Sequence, residues 1–282
     1  MPFTPLLPLS GVSGWSFLQN TIDSQTEQFN KSPEIERNVA HFEENIRNVE
    51  TLDDFMGDRQ LFEVAMGAFG LTEEIYKGAF VRKILAEGTE DSSAFAVRLN
   101  STEYLALAET FQVDADENLT ISEEDIARVV DAYQRQAFEV EVGEQDESMR
   151  LALNFERRIS EFAGQGSTEA GGWYTLMGST SMLQVIQGGF GAPDGLTSLD
   201  IEVQKDFYVR KSKELFGDGS IEALLDPENA DTLIQQYLFR EEIEAGPSAN
   251  TPGMAALSIL SATSGSSFAS SSSLFTILAQ NY

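Results

Sequence analysis

Apolar residues recur along most of this chain with the three- and four-residue spacing of an α-helix. After Ser32-Pro33, which is typical of a helix start, five of them follow at intervals of four, three, four and three: Ile35, Val39, Phe42, Ile46 and Val49. Residues spaced in this way share one face of a helix. Because no run alternates apolar and polar residues between hairpin turns, the sequence predicts an all-α, multihelical fold with apolar stripes packed inward.

Capping residues indicate where further helices begin. The candidate starts precede apolar-periodic segments and include Thr51, Asp58, Thr72, Ser101, Ser122 and Asp226. Gly70 and Gly88 are expected to end two of these helices, because glycine is the usual residue beyond a helix C-terminus.

The chain also resembles itself. Residues Met56–Gly70 align without gaps on Met177–Gly191, 121 residues later, and six of the fifteen positions are identical. Two flanking motifs return in the same order: Phe42-Glu43 as Phe155-Glu156, and Val81-Arg82-Lys83 as Val209-Arg210-Lys211. The repeat predicts two tandem helical units of similar design, each presenting an apolar face.

Charge and turn-forming residues divide the chain into four segments. Every charged side chain lies between Asp23 and Glu244. The predicted segments are an uncharged, irregular N-terminal segment (1–31), helical unit 1 (32–145), helical unit 2 (146–244) and an uncharged, Ser-rich tail (245–282). Three prolines before residue 9 motivate the irregular N-terminal segment.

The tail ends in a pattern that predicts a short amphipathic helix, because Leu274, Leu278 and Tyr282 recur every four residues. Two interpretations of the uncharged ends stay open: loose termini, or apolar segments that bind a partner. Under the second interpretation, the expected partner contacts are Leu6, Leu7, Trp15, Leu274, Phe275 and Leu278.

Composition excludes several function classes. The chain has 18 Lys and Arg against 46 Asp and Glu, a net charge of −28, which argues against nucleic acid as a partner. With no Cys and one His, it has no disulfide framework, thiolate-ligated zinc, iron–sulfur cluster or thiol nucleophile. We expect no transmembrane segment, because no apolar run reaches about 18 residues. We also expect no Sec signal peptide, since the N-terminus lacks a basic region and a continuous apolar core.

One acidic segment, Asp114 to Asp125, resembles an EF-hand calcium loop. Its candidate oxygen ligands are Asp114, Asp116, Asn118, Thr120 and Asp125. Leu119 occupies the position that normally requires glycine, and the last ligand is Asp where Glu is usual. The alternative interpretation is an acidic loop that leads into a Ser122-capped helix.

Other candidate chemistry is weaker still. His41 lies on a predicted helix in a chain without a Gly-x-Ser-x-Gly motif, which argues against a Ser–His hydrolase. Neighbouring carboxylates such as Glu43/Glu44 point apart on a helix and are expected to be solvated. We therefore expect no catalytic residues and no cofactor, and we do not expect an enzyme.

Several motifs together resemble the alphaproteobacterial family known as domain of unknown function 1217. These motifs are Phe55-Met56-Gly57-Asp58, Ala68-Phe69-Gly70-Leu71, Ala137–Gln145 and Met149-Arg150-Leu151-Ala152-Leu153, and the resemblance extends from Thr21 to Glu244. It implies a multihelical, duplicated fold, genes that commonly neighbour flagellar genes, and relatives labelled flagellar or rod-like. It assigns no catalytic or ligand residue.

Two functions are therefore weighed. The first is a flagellum-associated structural or assembly protein that acts by protein–protein contact with a flagellar component and is exported by the flagellar secretion route. The second is a cytosolic, acidic helical binding or regulatory module, responsive to calcium or not. The corresponding locations are the flagellar basal body or exterior, and the cytoplasm.

Overall fold

The structure, a computed structural model, describes residues 3–99, 101–162 and 169–246. Its α-helices in this part of the chain are α1 Gly11–Asn30, α2 Pro33–Asn45, α3 Leu52–Gly57, α4 Arg59–Ala68, α5 Gly78–Glu87, α6 Phe95–Leu99, α7 Thr102–Thr110, α8 Glu123–Gly143, α9 Glu147–Phe162, α10 Glu169–Gly178, α11 Thr180–Phe190, α12 Ile201–Phe216 and α13 Pro227–Ala245. Short 3-10 helices lie at Ile46–Asn48, Thr72–Glu74, Leu196–Ser198 and Ile221–Leu225. Two-residue strands β1 (Gln112–Val113) and β2 (Leu119–Thr120) pair antiparallel. The all-α prediction is confirmed.

Thr51, Asp58, Ser122 and Asp226 cap helices as predicted, whereas Ser32 and Ser101 make no side-chain cap and the helix expected from Thr72 begins at Gly78. At α3, the hydroxyl of Thr51 accepts the N–H of Asp54 at 3.1 Å, and the Asp54 carboxylate accepts the N–H of Thr51 at 3.1 Å. Each side chain satisfies a backbone donor that the first turn of a helix would otherwise leave unpaired. At α13, the Asp226 carboxylate accepts the N–H of Glu228 at 2.9 Å, directly before a proline at the first helical position.

The N-terminal segment differs from the prediction. Residues 1–31 were expected to be irregular, but α1 occupies Gly11–Asn30. The three prolines all precede Ser10, so they do not interrupt this helix. Beyond them, Trp15, Leu18 and Phe29 fall on one helical face and are buried, and this burial stabilises the helix.

The described residues form two compact units. The first contains residues 3–5 and 21–142, and the second contains residues 6–20 and 143–246. The division at 142/143 lies three residues before the boundary expected from the sequence. The N-terminal segment is not a separate part, because the first half of α1 belongs to the second unit and its second half to the first.

An aromatic cluster forms the core of the first unit. Phe55 of α3 stacks on Phe111 with 4.8 Å between ring centroids and meets Phe62 of α4 edge-on at 5.9 Å. Leu52 and Leu107 are fully buried beside them. Burying such side chains contributes roughly 1.5–3 kcal/mol each before conformational entropy is counted.

The second unit has its own aromatic core. Trp173 of α10 stacks on Tyr208 of α12 with 6.2 Å between ring centroids, and Phe190 of α11 lies 6.2 Å from the same tyrosine. The indole N–H of Trp173 donates to the carbonyl of Gly219 at 3.1 Å. The buried indole is therefore paired, as the desolvation of a polar group requires.

Each unit contains one helix pair in close contact through a glycine and a tyrosine. In the first unit, a Cβ built on Gly67 of α4 would lie 2.9 Å from the ring of Tyr133 on α8. In the second unit, a Cβ built on Gly188 of α11 would lie 2.5 Å from the ring of Tyr237 on α13. The absence of a side chain at these positions allows each pair of helices to approach closely.

In each unit, the glycine that follows the glycine-bearing helix lies near the helix that carries the tyrosine, which is α8 in the first unit and α13 in the second. Gly70 (φ +70°) lies near the side chain of Gln136, and Gly191 (φ +63°) lies near Arg240. The two glycines are 121 residues apart, and their partners are 104 residues apart, as are Tyr133 and Tyr237. The same relationship between two helices therefore occurs once in each unit.

Candidate functional site

A groove of about 310 Å³ in the second unit lies where α1 begins, α9 begins and α13 ends. We call it the terminal groove, and its lining includes Ser10, Gly11, Asp146, Glu241, Glu242 and Gly246. It lies between the end of α13, where the uncharged tail begins, and the start of α1, which falls inside the uncharged N-terminal stretch that runs to Ile22. For this reason it is the candidate site for the contacts that the ends were predicted to make.

The start of α1 and the last turn of α13 approach each other closely. Gly11 has a φ of +61°, and a Cβ at this position would collide with the carboxylate of Glu242. Only glycine adopts this backbone conformation without strain and leaves room for the carboxylate. Residues 10–11 and 242–246 therefore lie beside each other in the second unit.

The walls of the groove are acidic. Asp146 caps α9, since its Oδ1 accepts the N–H of Ser148 at 3.0 Å and of Met149 at 3.2 Å. Burial raises the pKa of Glu241, and the nearby carboxylates of Glu244 and Asp146 raise it further. Such a groove favours a neutral or cationic occupant and repels an anionic one.

Large apolar side chains are exposed in the segment before α1 and near the end of α13. Leu6 is 60 % exposed and Leu9 is 37 % exposed, immediately before α1. On α13, Phe239 is 56 % exposed and Ile243 is 62 % exposed. Large apolar side chains at solvent-facing positions are candidates for contact with a partner.

The predicted partner contacts have different environments. Leu6 is exposed and Leu7 is half-buried. Trp15, by contrast, is 1 % exposed, and its Nε1 donates to Oδ1 of Asp231 at 2.8 Å. Trp15 is therefore a core residue of the second unit and not an exposed anchor, because α1 turns its side chain inward. The other predicted contacts lie outside the described residues: Leu274, Phe275 and Leu278.

The acidic loop that resembled a calcium site lies between α7 and α8. Oδ1 of Asp114 accepts the N–H groups of Asp116 at 2.8 Å and Asn118 at 2.9 Å, and its Oδ2 accepts Nδ2 of Asn118 at 2.9 Å. These bonds lower the pKa of Asp114. The residue with positive φ is Glu117 (+63°), whereas an EF-hand needs that conformation at the position of Leu119. Leu119 is instead buried in β2.

The remaining predicted ligands have other roles. Asp125 lies in the first turn of α8, where its N–H donates to the hydroxyl of Ser122 at 3.1 Å and its carboxylate pairs with Ser122 and Arg128. Thr120 is exposed in β2. Within the described ranges, no three Asp, Glu or His side chains are grouped so that they could hold a metal ion. The alternative interpretation, a loop leading into a Ser122-capped helix, describes this segment.

His41 takes part in a capping arrangement. Its Nε2 lies 2.9 Å from Oδ2 of Asp58, whose other oxygen accepts the N–H groups of Gln60 and Leu61 at the start of α4. Burial raises the pKa of Asp58, but the hydrogen bonds from Leu61, His41 and Gln60 outweigh burial and lower it. Asn45 lies 3.2 Å from Nδ1 of His41. Both ring nitrogens are thus occupied by structural contacts.

A second depression of about 520 Å³ lies beside α12, and Lys205 is its most strongly perturbed group. Its Nζ lies 2.6 Å from Oε2 of Glu202 and 3.1 Å from the hydroxyl of Tyr174. These bonds raise the pKa of Lys205. A lysine that is held as a cation is a poor general base or nucleophile, so this arrangement favours a structural ion pair.

Sequence reasoning missed the terminal groove and the exposed pair Phe239 and Ile243. The groove depends on a contact between residues more than 200 positions apart, which no local pattern reveals. A signal for α13 was present, however, because Tyr133 recurs as Tyr237 and the helix-capping residues Ser122 and Asp226 share the same offset of 104. None of the described helices is both long and apolar enough to cross a lipid bilayer.

Comparison with known proteins agrees with the resemblance found in the sequence. A crystal structure of a protein from Agrobacterium tumefaciens superimposes with a TM-score of 0.67, is 26 % identical, and covers 86 % of this chain and 100 % of its own. No curated protein matches the chain. Residues 68–230 match the family described as "Protein of unknown function (DUF1217)", and this match spans more than half of the chain. The chain therefore belongs to the DUF1217 family.

Proposed function

We propose that this protein is a non-enzymatic structural or assembly component of the bacterial flagellum, exported by the flagellar secretion route and acting by protein–protein contact. The flagellar part of the proposal is supported by the resemblance to relatives whose genes commonly neighbour flagellar genes. The contact part is supported by the architecture of the second unit.

The observation that carries the contact mechanism is the close approach of the start of α1 and the end of α13 at the terminal groove. Ser10 and Gly11 lie beside Glu242 and Gly246 there. A partner that docks there buries apolar anchors from both ends at once, which contributes more than either end alone. Leu6 is the described anchor with the largest exposed fraction on the N-terminal side.

The absence of an enzyme activity is part of the proposal. Lys205, the cation beside the larger depression, is committed to Glu202 and Tyr174. Catalytic sites instead bring groups with perturbed pKa values together around free space for a substrate.

We also infer that the chain arose as a duplication, with each unit built on the same helical plan. The supporting contacts are those of Gly67 with Tyr133 and of Gly188 with Tyr237. α8 and α13 correspond to each other at an offset of 104 from their first residues, Glu123 and Pro227, onward.

A gene deletion in the native bacterium tests the flagellar role. We expect the deletion strain to lose swimming, the intact gene to restore it, and a Leu6→Asp chain to restore it poorly because a charge at an apolar anchor opposes docking. A Leu199→Asp chain is the matched control, since Leu199 is 52 % exposed in the same unit but belongs to the loop before α12. A deletion strain that swims normally with intact flagella would contradict the proposal.

A further inference from the structure

The outward face of α13 changes character along its length. Four positions with helical spacing face solvent: Thr232, Gln235, Phe239 and Ile243. The first two are polar, and the last two are large and apolar and more than half exposed. We call Phe239 and Ile243 the apolar end of α13, and Ile243 lies within one helical turn of Ala245, where the tail begins.

In the corresponding helix of the first unit, the counterparts of Phe239 and Ile243 are Arg135 and the buried Glu139, and the exposed apolar residue near its end is Val140, which is 48 % exposed. At the offset of 104 residues that relates α8 to α13, the counterparts of Thr232, Gln235 and Phe239 are Arg128, Asp131 and Arg135. Arg135 pairs with Asp131 on the exposed face of α8. The helix that runs into α9 therefore has a charged face, and the helix that runs into the uncharged tail has an apolar one. This comparison uses the duplication inferred above.

We propose that the apolar end of α13 is the docking site for the C-terminal segment of the same chain, residues 274–282. The occupant has the matching chemistry, since Leu274, Leu278 and Tyr282 recur at helical spacing and no charged side chain lies beyond Glu244. Aligned apolar residues of one helical segment laid along those of another form a recurring mode of peptide recognition.

The chain is long enough for this contact. The intervening residues 247–273 reach roughly 90 Å when fully extended, whereas α13, with 19 residues, is about 28 Å long. Tethering also supplies the segment at an effective concentration in the millimolar range for a short flexible linker. A contact that buries only a few apolar side chains is therefore sufficient.

Charge favours this occupant over a second copy of the protein. Glu241, Glu242 and Glu244 surround Ile243 on the last turns of α13. A second copy carries a net charge of −28 and is repelled from this surface, whereas an uncharged segment is not. The inference concerns the isolated chain and does not depend on the flagellar role.

Hydrogen exchange of the full-length chain, followed by mass spectrometry, tests the contact. We expect the amides of residues 274–282 to exchange on the order of tenfold more slowly than in an unstructured peptide, because a nine-residue segment is not a stable helix on its own. Phe239→Arg, which copies the counterpart residue Arg135, is expected to abolish this protection. Gln235→Arg, on the polar half of the same face, is expected to retain it.

The outcomes separate the proposal from its alternatives. Unprotected tail amides in the native chain would overturn it, as would protection that survives Phe239→Arg while the amides of the core are unchanged. Protection that increases with protein concentration would assign the surface to a second copy and would also overturn it. Loss of protection in Phe239→Arg alone, at every concentration, supports docking within one chain.

Discussion

Gly188 of α11 lies against the ring of Tyr237 on α13, so closely that a Cβ on the glycine would be 2.5 Å from the ring. Tyr237 is only 1 % exposed and has no room to move away. Arg240 strengthens the same contact by donating to the carbonyl of Gly189 at 2.5 Å. The close packing of α11 on α13 thus requires a residue without a side chain at position 188.

Gly188→Ala is expected to lower the free energy of unfolding by about 1–2 kcal/mol. Overpacking a tight contact costs roughly 1–3 kcal/mol, and the better helix propensity of alanine returns up to about 1 kcal/mol. Gly67→Ala is expected to lower the free energy of unfolding by a smaller amount, because Tyr133 is only partly buried. Chemical denaturation monitored by circular dichroism measures the free energy of unfolding of both variants.

The sequence repeat contains two other glycines that serve as controls for Gly188→Ala and Gly67→Ala. Gly57 and Gly178 also correspond at an offset of 121, and neither would bring a Cβ within 4 Å of another residue. Alanine at either position is expected to be neutral or stabilising by up to about 1 kcal/mol. Equal effects at Gly188 and Gly178 would contradict the close-contact account.

Trp15→Ala is expected to destabilise the protein by about 3–5 kcal/mol, the range for removing a buried aromatic side chain. The indole is 1 % exposed and hydrogen-bonded to Asp231. Leu6→Ala, at an exposed position nine residues earlier, is expected to change stability by less than about 0.5 kcal/mol. Thermal unfolding of the two variants checks this. A Trp15→Ala chain as stable as the native one would show that the residue is not part of the core.

Glu156→Gln is expected to raise the melting temperature at pH 7. Burial raises the pKa of Glu156 above its ordinary value of 4.5, although Gln19 donates to it at 2.8 Å. Because its pKa is raised in the folded state, the Glu156 carboxyl stabilises the fold at pH values below its unfolded-state pKa. This stabilisation is lost as the pH rises through the folded-state pKa. Glutamine keeps the acceptor for Gln19 and removes the ionisation.

The advantage of Glu156→Gln is therefore expected to disappear below about pH 4, where both states of the native chain are protonated. Glu43 is the counterpart of Glu156 in the sequence repeat and is exposed on α2. Glu43→Gln serves as the control and is expected to shift the melting temperature little at either pH. A Glu156→Gln effect of equal size at pH 4 and pH 7 would rule out ionisation as its cause.

Calcium in the millimolar range is expected to change the melting temperature by less than about 1 °C. Asp114 is occupied by the backbone of its own turn, and Asp125 by Ser122 and Arg128. A ligand that binds the folded state stabilises it in proportion to occupancy, so a saturable rise with calcium but not with magnesium would contradict this interpretation of the loop.

The sequence was sufficient for the helical class, because apolar spacing and capping are local properties. Thr51 and Asp226 cap helices in the way their neighbours predicted. The prediction that Trp15 is a partner contact was wrong, because the three prolines suggested an irregular segment. A helix in fact begins at Gly11, beyond the last proline. The loop that resembles a calcium site departs from EF-hand geometry, since the chain places its positive φ at Glu117 and buries Leu119.

The terminal groove could not be predicted from sequence patterns. That Gly11 lies beside Glu242 depends on how α1 and α13 pack within the second unit, and such packing is set by contacts between distant parts of the chain. Composition indicated that both ends are uncharged and apolar. It did not indicate that the start of α1 and the end of α13 lie beside each other.

The most direct test of the central claim, that this protein is a flagellar component acting by contact, is its location in cells that are building flagella. Cells are separated into cytosol, culture supernatant and purified basal bodies, and the full-length protein is quantified in each by immunoblotting. The account predicts enrichment in basal bodies or supernatant for the native chain, with a marked decrease for Leu6→Asp and none for Leu199→Asp. Retention of the native chain in the cytosol throughout flagellar assembly would contradict it.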